Sequence, residues 1–360
     1  MARPYVSIDL DKVEHNARSI VALCGAHGIA VTGVTKGTCG HPAVARAMLR
    51  GGVQSLGESR MENVARLRDG GVRAPMLLLR LPPLSEAEQV VDRVDVSLNS
   101  ELAVLEALSA AARRRGRVHP VIVMLDLGDL REGVWPDDLV PFVRQALRLP
   151  GVRVAGLGTN LGCYGGVVPS EENMGRLVAH AREIEAACGI RLAWISGGSS
   201  NLLPLLTAGK LPERINHARI GEAILLGRET THRRPWPGTH PDAFRLHAEV
   251  IEEKEKPSLP IGERGEDAFG REPRFEDRGE RERALVNVGR EDVDVDGVTP
   301  VDPRLRVLGA SSDYLIVDVT EARGAVRVGD ELVFSLDYAA LLAAMTSRYV
   351  EKRVRGAGEA

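Results

Sequence analysis

Between residue 29 and about residue 227 the chain alternates short β-branched runs with longer helical stretches. The runs are AVTGVTK (30–36), VQSLG (53–57), MLLLRL (76–81), VDVSL (94–98), PVIVMLDL (120–127), VRVAGLGT (152–159), LAWIS (192–196) and INHARIG (215–221). Each is short, apolar or alternating, and bounded by turn residues, as strands are. Between them lie amphipathic segments such as HPAVARAMLRGG, SEAEQVVDRV, SELAVLEALSAAARRRG and EENMGRLVAHAREIEAACG. The last two place apolar residues at helical spacing and end in Gly, a C-cap signal. Strands alternating with helices imply βαβ units and a parallel sheet. Eight such units in roughly 200 residues match a closed (β/α)8 TIM barrel. An open doubly wound sheet fits less well, because no G-x-G-x-x-G follows the first strand.

After residue 240 the texture changes. FRLHAEVIEE alternates like a strand, and Glu252 to Arg283 is dominated by Glu, Arg, Gly and Pro. That stretch lacks the apolar content to pack and is expected to be an exposed, mobile insertion. ALVNVG, LRVLGA, YLIVDVT and DELVFSL then read as short strands, with no long helix before LLAAMTSRYVEK. The expected organisation is a barrel over 1–235 and a smaller all-β domain over 236–360, with the charged insertion at about 252–283.

The balance of 47 Lys+Arg against 50 Asp+Glu, and an aromatic content of 4%, exclude a basic or base-stacking surface. Neither nucleic acid nor membrane is expected as a partner. No apolar run approaches the roughly 20 residues of a membrane helix, and MARPYVSIDLDKVEHNA turns polar too soon for a signal peptide. A cytoplasmic chain is expected. Cys24, Cys39, Cys163 and Cys188 form no C-x-x-C pair and read as reduced thiols rather than a disulfide frame or zinc site.

In such barrels the chemistry sits where strands end. The first strand ends in Lys36, the fifth runs into DLGDLREG with Arg131, and the sixth into GTNLGCYGG with Asn160, Cys163 and Tyr164. The seventh ends in SGGSSN, whose Ser199 and Ser200 open a helix; the eighth ends in ARIGEA, with Arg219, Ile220 and Gly221. Taken singly these are weak signals. Lys36 alone reads as a lysine snorkelling from the mouth, GGSS as a turn with an N-cap, and ARIG as a loop with a surface arginine. Their order around one barrel is what carries information. A lysine amine eased into its neutral form by desolvation, with an anion cradle after strands seven and eight, suggests pyridoxal phosphate.

At this point the chain resembles the alanine racemase-like fold-type III pyridoxal-phosphate enzymes, most closely their alanine/ornithine racemase branch. The resemblance runs from SIDLDKVEHNA through VTKGTCGHP, LGESRMEN, DLGDLREG, GTNLGCYGG, ISGGSSN and RIGEAILLG to VNVGREDVDVDG and YLIVDVT. It implies a racemase that exchanges the Cα proton between two bases, on ornithine, lysine or alanine, with pyridoxal 5'-phosphate as cofactor. Lys36 would be the Schiff-base lysine and one base, and Ser199, Ser200, Ile220 and Gly221 the phosphate cradle. Arg219 would bond the ring nitrogen, Arg131 lie near the phenolic oxygen, and Asn160 stand where relatives place a histidine. A homodimer with shared active sites is also implied, the β domain of one chain contributing to the site of the other.

Two departures qualify this. Where alanine racemases carry a tyrosine four residues after the lysine, the string VTKGTCGH offers Cys39. Where the family's opposite base is a tyrosine in G-Y-A-D-G, this chain reads GREDV, with Arg290, Glu291 and Asp292. Arginine is a poor base. The second proton carrier is therefore open among Asp292, Asp313 of SSDY, Cys163, Tyr164 and His217, with Arg290 at the family position. Carboxylates there would suit a cationic side chain, although solvated surface acids read the same way. Other expectations are a non-catalytic pyridoxal-phosphate protein, against which the β domain argues, and a decarboxylase on the same fold. A metal-dependent aldolase would need His and Cys ligands that the chain lacks after residue 248.

Overall fold

The computed structural model describes residues 3–356. The chain opens with β1 (Tyr5–Asp9) and α1 (Leu10–Gly25). Eight strands then follow: β2 (Ala30–Val34), β3 (Ser55–Glu58), β4 (Met76–Leu78), β5 (Val96–Asn99), β6 (His119–Met124), β7 (Val152–Gly158), β8 (Trp194–Ser196) and β9 (His217–Ile220). They form one closed barrel, each strand parallel to the next, with β9 returning to β2 through Thr32↔Arg219. All eight overlap the runs read from the sequence, with ends shifted by up to three residues and with β3, β5 and β6 each extending one residue beyond the run.

A helix follows each strand: α2 (Pro42–Arg50), α3 (Met61–Asp69), α4 (Ala87–Arg93), α5 (Leu102–Arg114), α6 (Leu139–Ala146), α7 (Glu171–Cys188), α8 (Leu203–Thr207) and α9 (Glu222–Leu225). The local causes are plain in α7. Ser170 accepts from Asn173 N while Asn173 caps the Ser170 N–H, and Gly189 at φ +66° ends the helix. Met174, Leu177, Val178, Ala181 and Ile184 are its buried residues, the spacing of one face.

The barrel interior is apolar on one side only. Leu77, Leu98, Ile122 and Met124 form a cluster against Leu79, Val96 and Trp194. On the other side Thr32 Oγ1 lies 2.6 Å from Ser55 Oγ and 2.8 Å from His217 Nε2, and His217 Nδ1 lies 2.8 Å from Ser196 Oγ. Burial, aided by Arg219, pulls His217 down to about 3, so the ring is neutral. A neutral ring has one donor and one acceptor, and flanking hydroxyls satisfy both. Buried polar groups survive here because they are bonded to each other.

The second compact unit combines Asp242–Arg355 with the stretch ending at Asp9. Its strands are β10 (Phe244–Pro257), β11 (Glu280–Val286), β12 (Val298–Pro300), β13 (Arg306–Ala310), β14 (Leu315–Asp318), β15 (Glu331–Leu336) and β16 (Glu351–Arg355), with α10 (Tyr338–Thr346) before the last. The sheet order is β12-β15-β10-β11-β14-β13, and β1 joins it between β10 and β16.

Two boundaries expected from the sequence are thereby corrected. The first strand, placed within a barrel domain of 1–235, is bound to β10 by Tyr5↔His247 through Ile8↔Phe244, while the barrel unit runs from Leu10 to Pro241. The insertion expected over 252–283 is partly a regular hairpin, with Glu252↔Leu285 through Pro257↔Glu280 in antiparallel register. Only 258–279 lies outside strands. The alternating charges that made the segment look unstructured pair across its faces, as in Lys256 with Glu252 and Arg323 with Glu282.

Candidate active site at the barrel mouth

Lys36 follows β2 immediately. The Thr35 N–H donates to Gly57 O at 3.0 Å, and a single 3-10 turn, Lys36–Thr38, ends at Cys39 with φ +51°. Burial holds the Lys36 amine below the ordinary lysine value. The Cys163 thiol draws it back up, Arg131 presses it down, Glu58 raises it and Arg219 lowers it. These four groups come from the ends of β3, β6, β7 and β9, so the amine sits among strand termini at one mouth.

Arg219 is 4% exposed. One nitrogen donates to Ser196 Oγ, the other to Thr159 O at 2.7 Å and Asn160 Oδ1 at 3.3 Å. Burial pulls the guanidinium down to about 10, with Glu132 and Cys163 acting against that, so it stays charged at neutral pH. Asn160 passes the contact on: its Nδ2 donates to Glu132 Oε1 at 2.8 Å, and Glu132 also accepts from Arg131. Arg219, Asn160, Glu132 and Arg131 therefore form one hydrogen-bonded chain across the mouth.

The loops after β8 and β9 are locked together. The Arg219 N–H donates to Gly198 O at 2.9 Å, and the Ala223 N–H to Ser200 Oγ at 3.1 Å. Ser199 Oγ donates to Asn201 Oδ1 at 3.0 Å, while Asn201 Nδ2 reaches Leu161 O at 2.7 Å. Gly198 has φ +134°, a conformation that side chains disfavour. Ile220 is buried, and Gly221 opens α9 so close to β2 that a Cβ there would lie 3.1 Å from Val34 Cβ.

Asp129, in the loop after β6, fixes the loop after β7. Its carboxylate accepts from the N–H groups of Gly162, Cys163, Tyr164 and Val167 at 2.9–3.2 Å. Burial raises its pKa, but these four donors outweigh that and the net value is lowered. A lowered folded value means stability that is present above the ordinary aspartate range and is lost as pH falls through the lowered value. Asp129→Asn should cost about 1–3 kcal/mol at neutral pH, since an amide cannot accept all four bonds. Urea midpoints should show a constant gap to wild type from neutral pH down to the ordinary aspartate range, about pH 4, and a closing gap only below it, as the wild-type carboxylate protonates; a gap that stays constant below that range would contradict this.

Compared with known proteins, residues 8–229 match a family model described as "Alanine racemase, N-terminal domain". The chain is 42% identical to the ornithine racemase of Acetoanaerobium sticklandii over 98% of its length and 99% of that protein's. It is 43% identical to the lysine racemase of Thermotoga maritima, covering 98% of each. This chain belongs to the alanine racemase family. As a member it is an amino-acid racemase, and the family depends on pyridoxal phosphate. The fold agrees: alanine racemase from Streptomyces coelicolor A3(2) superposes with a TM-score of 0.76 at 20% identity, covering 98% of each chain. The Bartonella henselae alanine racemase, solved with covalently bound pyridoxal phosphate, gives 0.74 at 16% identity, covering 99% of this chain and 100% of that one.

Within this family member, the residues weighed as second base have distinct surroundings. His217 is held on both nitrogens inside the barrel, which leaves it no free acceptor. Tyr164 is 77% exposed, and Cys163, also exposed, acts on both Lys36 and Arg219. In the β unit the GREDV and SSDY turns are packed together: the Arg290 N–H donates to Ser311 O and the Glu291 N–H to Ser312 O at 3.0 and 3.1 Å. A Cβ on Gly289 would come within 2.2 Å of Ser312 O, so only glycine permits that approach. The Arg290 guanidinium lies over the Phe269 ring at 5.1 Å. Asp292 is buried and accepts from Ser347 Oγ at 2.7 Å, whereas Asp313 is exposed and accepts from Ser312 Oγ at 2.6 Å.

Three mouth residues escaped the sequence analysis: Glu58, Asp129 and Glu132. Asp129 and Glu132 flank Arg131 in DLGDLREG, and Glu58 ends a strand in LGES. An acid at a barrel strand's C-terminal end was the available signal.

Proposed function

We propose that this chain is a pyridoxal-phosphate-dependent racemase of a basic amino acid, ornithine or lysine. The carrying observation is a lysine amine held below its ordinary value in the same mouth as a buried, charged Arg219. The site's chemistry fits the cofactor: hydroxyls of Ser199 and Ser200 beside Gly221 for a phosphate, a guanidinium for a ring nitrogen, and an amine for a carbonyl carbon. When bound, the cofactor supplies the electron sink that makes the substrate Cα–H acidic.

The chain's own residues do the rest. Ser199, Ser200, Ile220 and Gly221 hold the phosphate. Arg131 and Asn160 orient the ring. Arg219, which keeps its own proton, would donate a hydrogen bond to the ring nitrogen and would leave that nitrogen without a proton of its own. A weak sink favours simple proton return over side reactions. Lys36, released when substrate binds, takes the proton from Cα on one face and returns it there in the reverse direction.

For the opposite face, Asp313 is the better placed of the β-unit acids, because Asp292 is buried on Ser347 and Arg290 cannot act as a base. In this reading Asp313 is donated by the second chain of a homodimer.

The two racemases that match over the full chain support a basic amino acid as substrate. With pyridoxal phosphate added, L-ornithine, L-lysine and L-alanine should each be incubated and the D-enantiomer followed by chiral chromatography. Ornithine or lysine should exceed alanine in kcat/KM by about tenfold or more, which is about 1.4 kcal/mol of discrimination. Alanine as the preferred substrate, or no D-product from any, would overturn the reading.

A further inference from the structure

The mouth contains a carboxylic acid that the reaction as described does not use. In the barrel, a Cβ on Gly33 would meet Met48 and Val53 on the helix side, whereas one on Gly57 would meet Thr32 Cγ2 and Leu79. Strand alternation therefore turns Thr35 and Glu58 outward, between the barrel wall and the helix layer, and Lys36 inward. Glu58 is fully buried there. A carboxylate in the apolar layer between sheet and helices costs free energy unless it is bonded and serves a purpose.

Its bonds are clear. Oε1 accepts from Thr35 Oγ1 at 3.0 Å, and Oε2 from Ser59 N at 2.9 Å and Asn63 Nδ2 at 3.0 Å. Arg66 donates to both Asn63 Oδ1, at 3.3 Å, and Cys39 O, which ties this cluster to the end of the Lys36 turn. Thr35 is the residue before Lys36, and Thr38 Oγ1 returns to Thr35 O at 3.0 Å. The carboxylate thus pins the main chain on the lysine's N-terminal side, and its charge lies within reach of the amine.

We propose that Glu58 is the positioning residue of Lys36: its buried carboxylate, bonded to the Thr35 hydroxyl one residue before the lysine and tied through Asn63 and Arg66 to the Cys39 carbonyl after it, holds the turn that carries the amine exchanging the Cα proton. This rests on the racemase reading above and goes beyond it by naming the group that positions the base. When Lys36 takes the proton it becomes an ammonium in a mouth that already holds Arg131 and Arg219. The Cys163 thiol and, after it, Glu58 act against this added positive charge at Lys36. Burial raises the carboxyl's own pKa and outweighs the donors from Asn63, Ser59, Thr35 and Arg60 that pull it down, so removing a donor raises it further and weakens its effect on the lysine.

The test uses cofactor-free full-length protein, so that it does not depend on substrate or turnover. Competitive labelling with acetic anhydride across pH, read by peptide mass, gives the midpoint for Lys36, with exposed Lys210 as internal standard. Glu58→Gln is shape-conserving: its oxygen can face Ser59 N and Asn63, and its NH2 can donate to the Thr35 hydroxyl. It should lower the Lys36 midpoint by about one pH unit while Lys210 stays put. Asn63→Leu keeps Glu58 but removes one donor, and should move Lys36 the same way by less. With holoenzyme, the acid limb of kcat/KM should move in parallel. A Lys36 midpoint unchanged in whichever of the two variants folds would overturn the role of Glu58, even if activity fell. Racemisation absent in wild type would instead sink the functional reading and leave the labelling result standing.

Discussion

Lys36→Ala should lose racemisation by at least roughly ten-thousand-fold, because one substitution removes both the covalent anchor and one of two proton carriers. The loss has a second, chemical readout. Borohydride reduction of wild type mixed with pyridoxal phosphate should fix the cofactor's mass on the peptide containing Lys36. The alanine variant should show no such adduct on any peptide. Lys36 is selected because its amine sits among the strand ends of the mouth, where burial holds it below the ordinary lysine value. Adduct formation at a different lysine, with Lys36 unmodified, would remove the basis for the whole site.

Arg219→Glu should redirect the chemistry rather than merely slow it. Arg219 is buried against Ser196, Thr159 and Asn160, so a glutamate there sheds its charge by taking a proton or by sharing one with the ring nitrogen. A protonated ring is a stronger electron sink. Racemisation should fall about 10²- to 10³-fold, while release of the keto acid from the same substrate, measured by a coupled dehydrogenase, should rise severalfold. Arg219→Gln separates charge from bonding: it should slow racemisation without raising keto acid. An unchanged ratio of the two products in Arg219→Glu would mean that this side chain does not govern the ring. The glutamate also faces the Thr159 carbonyl, and a lower Tm than wild type is expected from that repulsion.

The barrel was legible because each of its strands is buried on both faces and therefore reads as a short continuous apolar run between turn residues. The strand-end residues Lys36, Arg131, Asn160, Ser199, Ser200 and Arg219 were legible because a closed parallel barrel puts every such position at one mouth. What escaped depended on partners distant in sequence. YVSID says nothing about whether its ladder lies in the barrel or beside β10, more than two hundred residues away. The 252–283 stretch looked unable to pack, and it does not pack: its hairpin is held by backbone pairing and by crosswise charges such as Arg281 with Asp318. Glu58 was hidden for another reason. A single acid in LGES has no periodicity, and only the register Val34↔Gly57 brings it beside Thr35 and so behind Lys36.

The union of β1 with β10 and β16 makes the order of synthesis matter. The chain leaves the ribosome with β1 first, yet its two neighbours in the sheet begin at Phe244 and Glu351. Every residue of the barrel is made while that strand has an unpaired edge on each side, a state that invites pairing with another chain. The sheet closes only when β16 emerges, so the barrel can finish folding as a nascent protein while the β unit cannot. The same arrangement sets Tyr5 beside Glu351 in parallel register, so one edge of β1 is covered only when β16 is made.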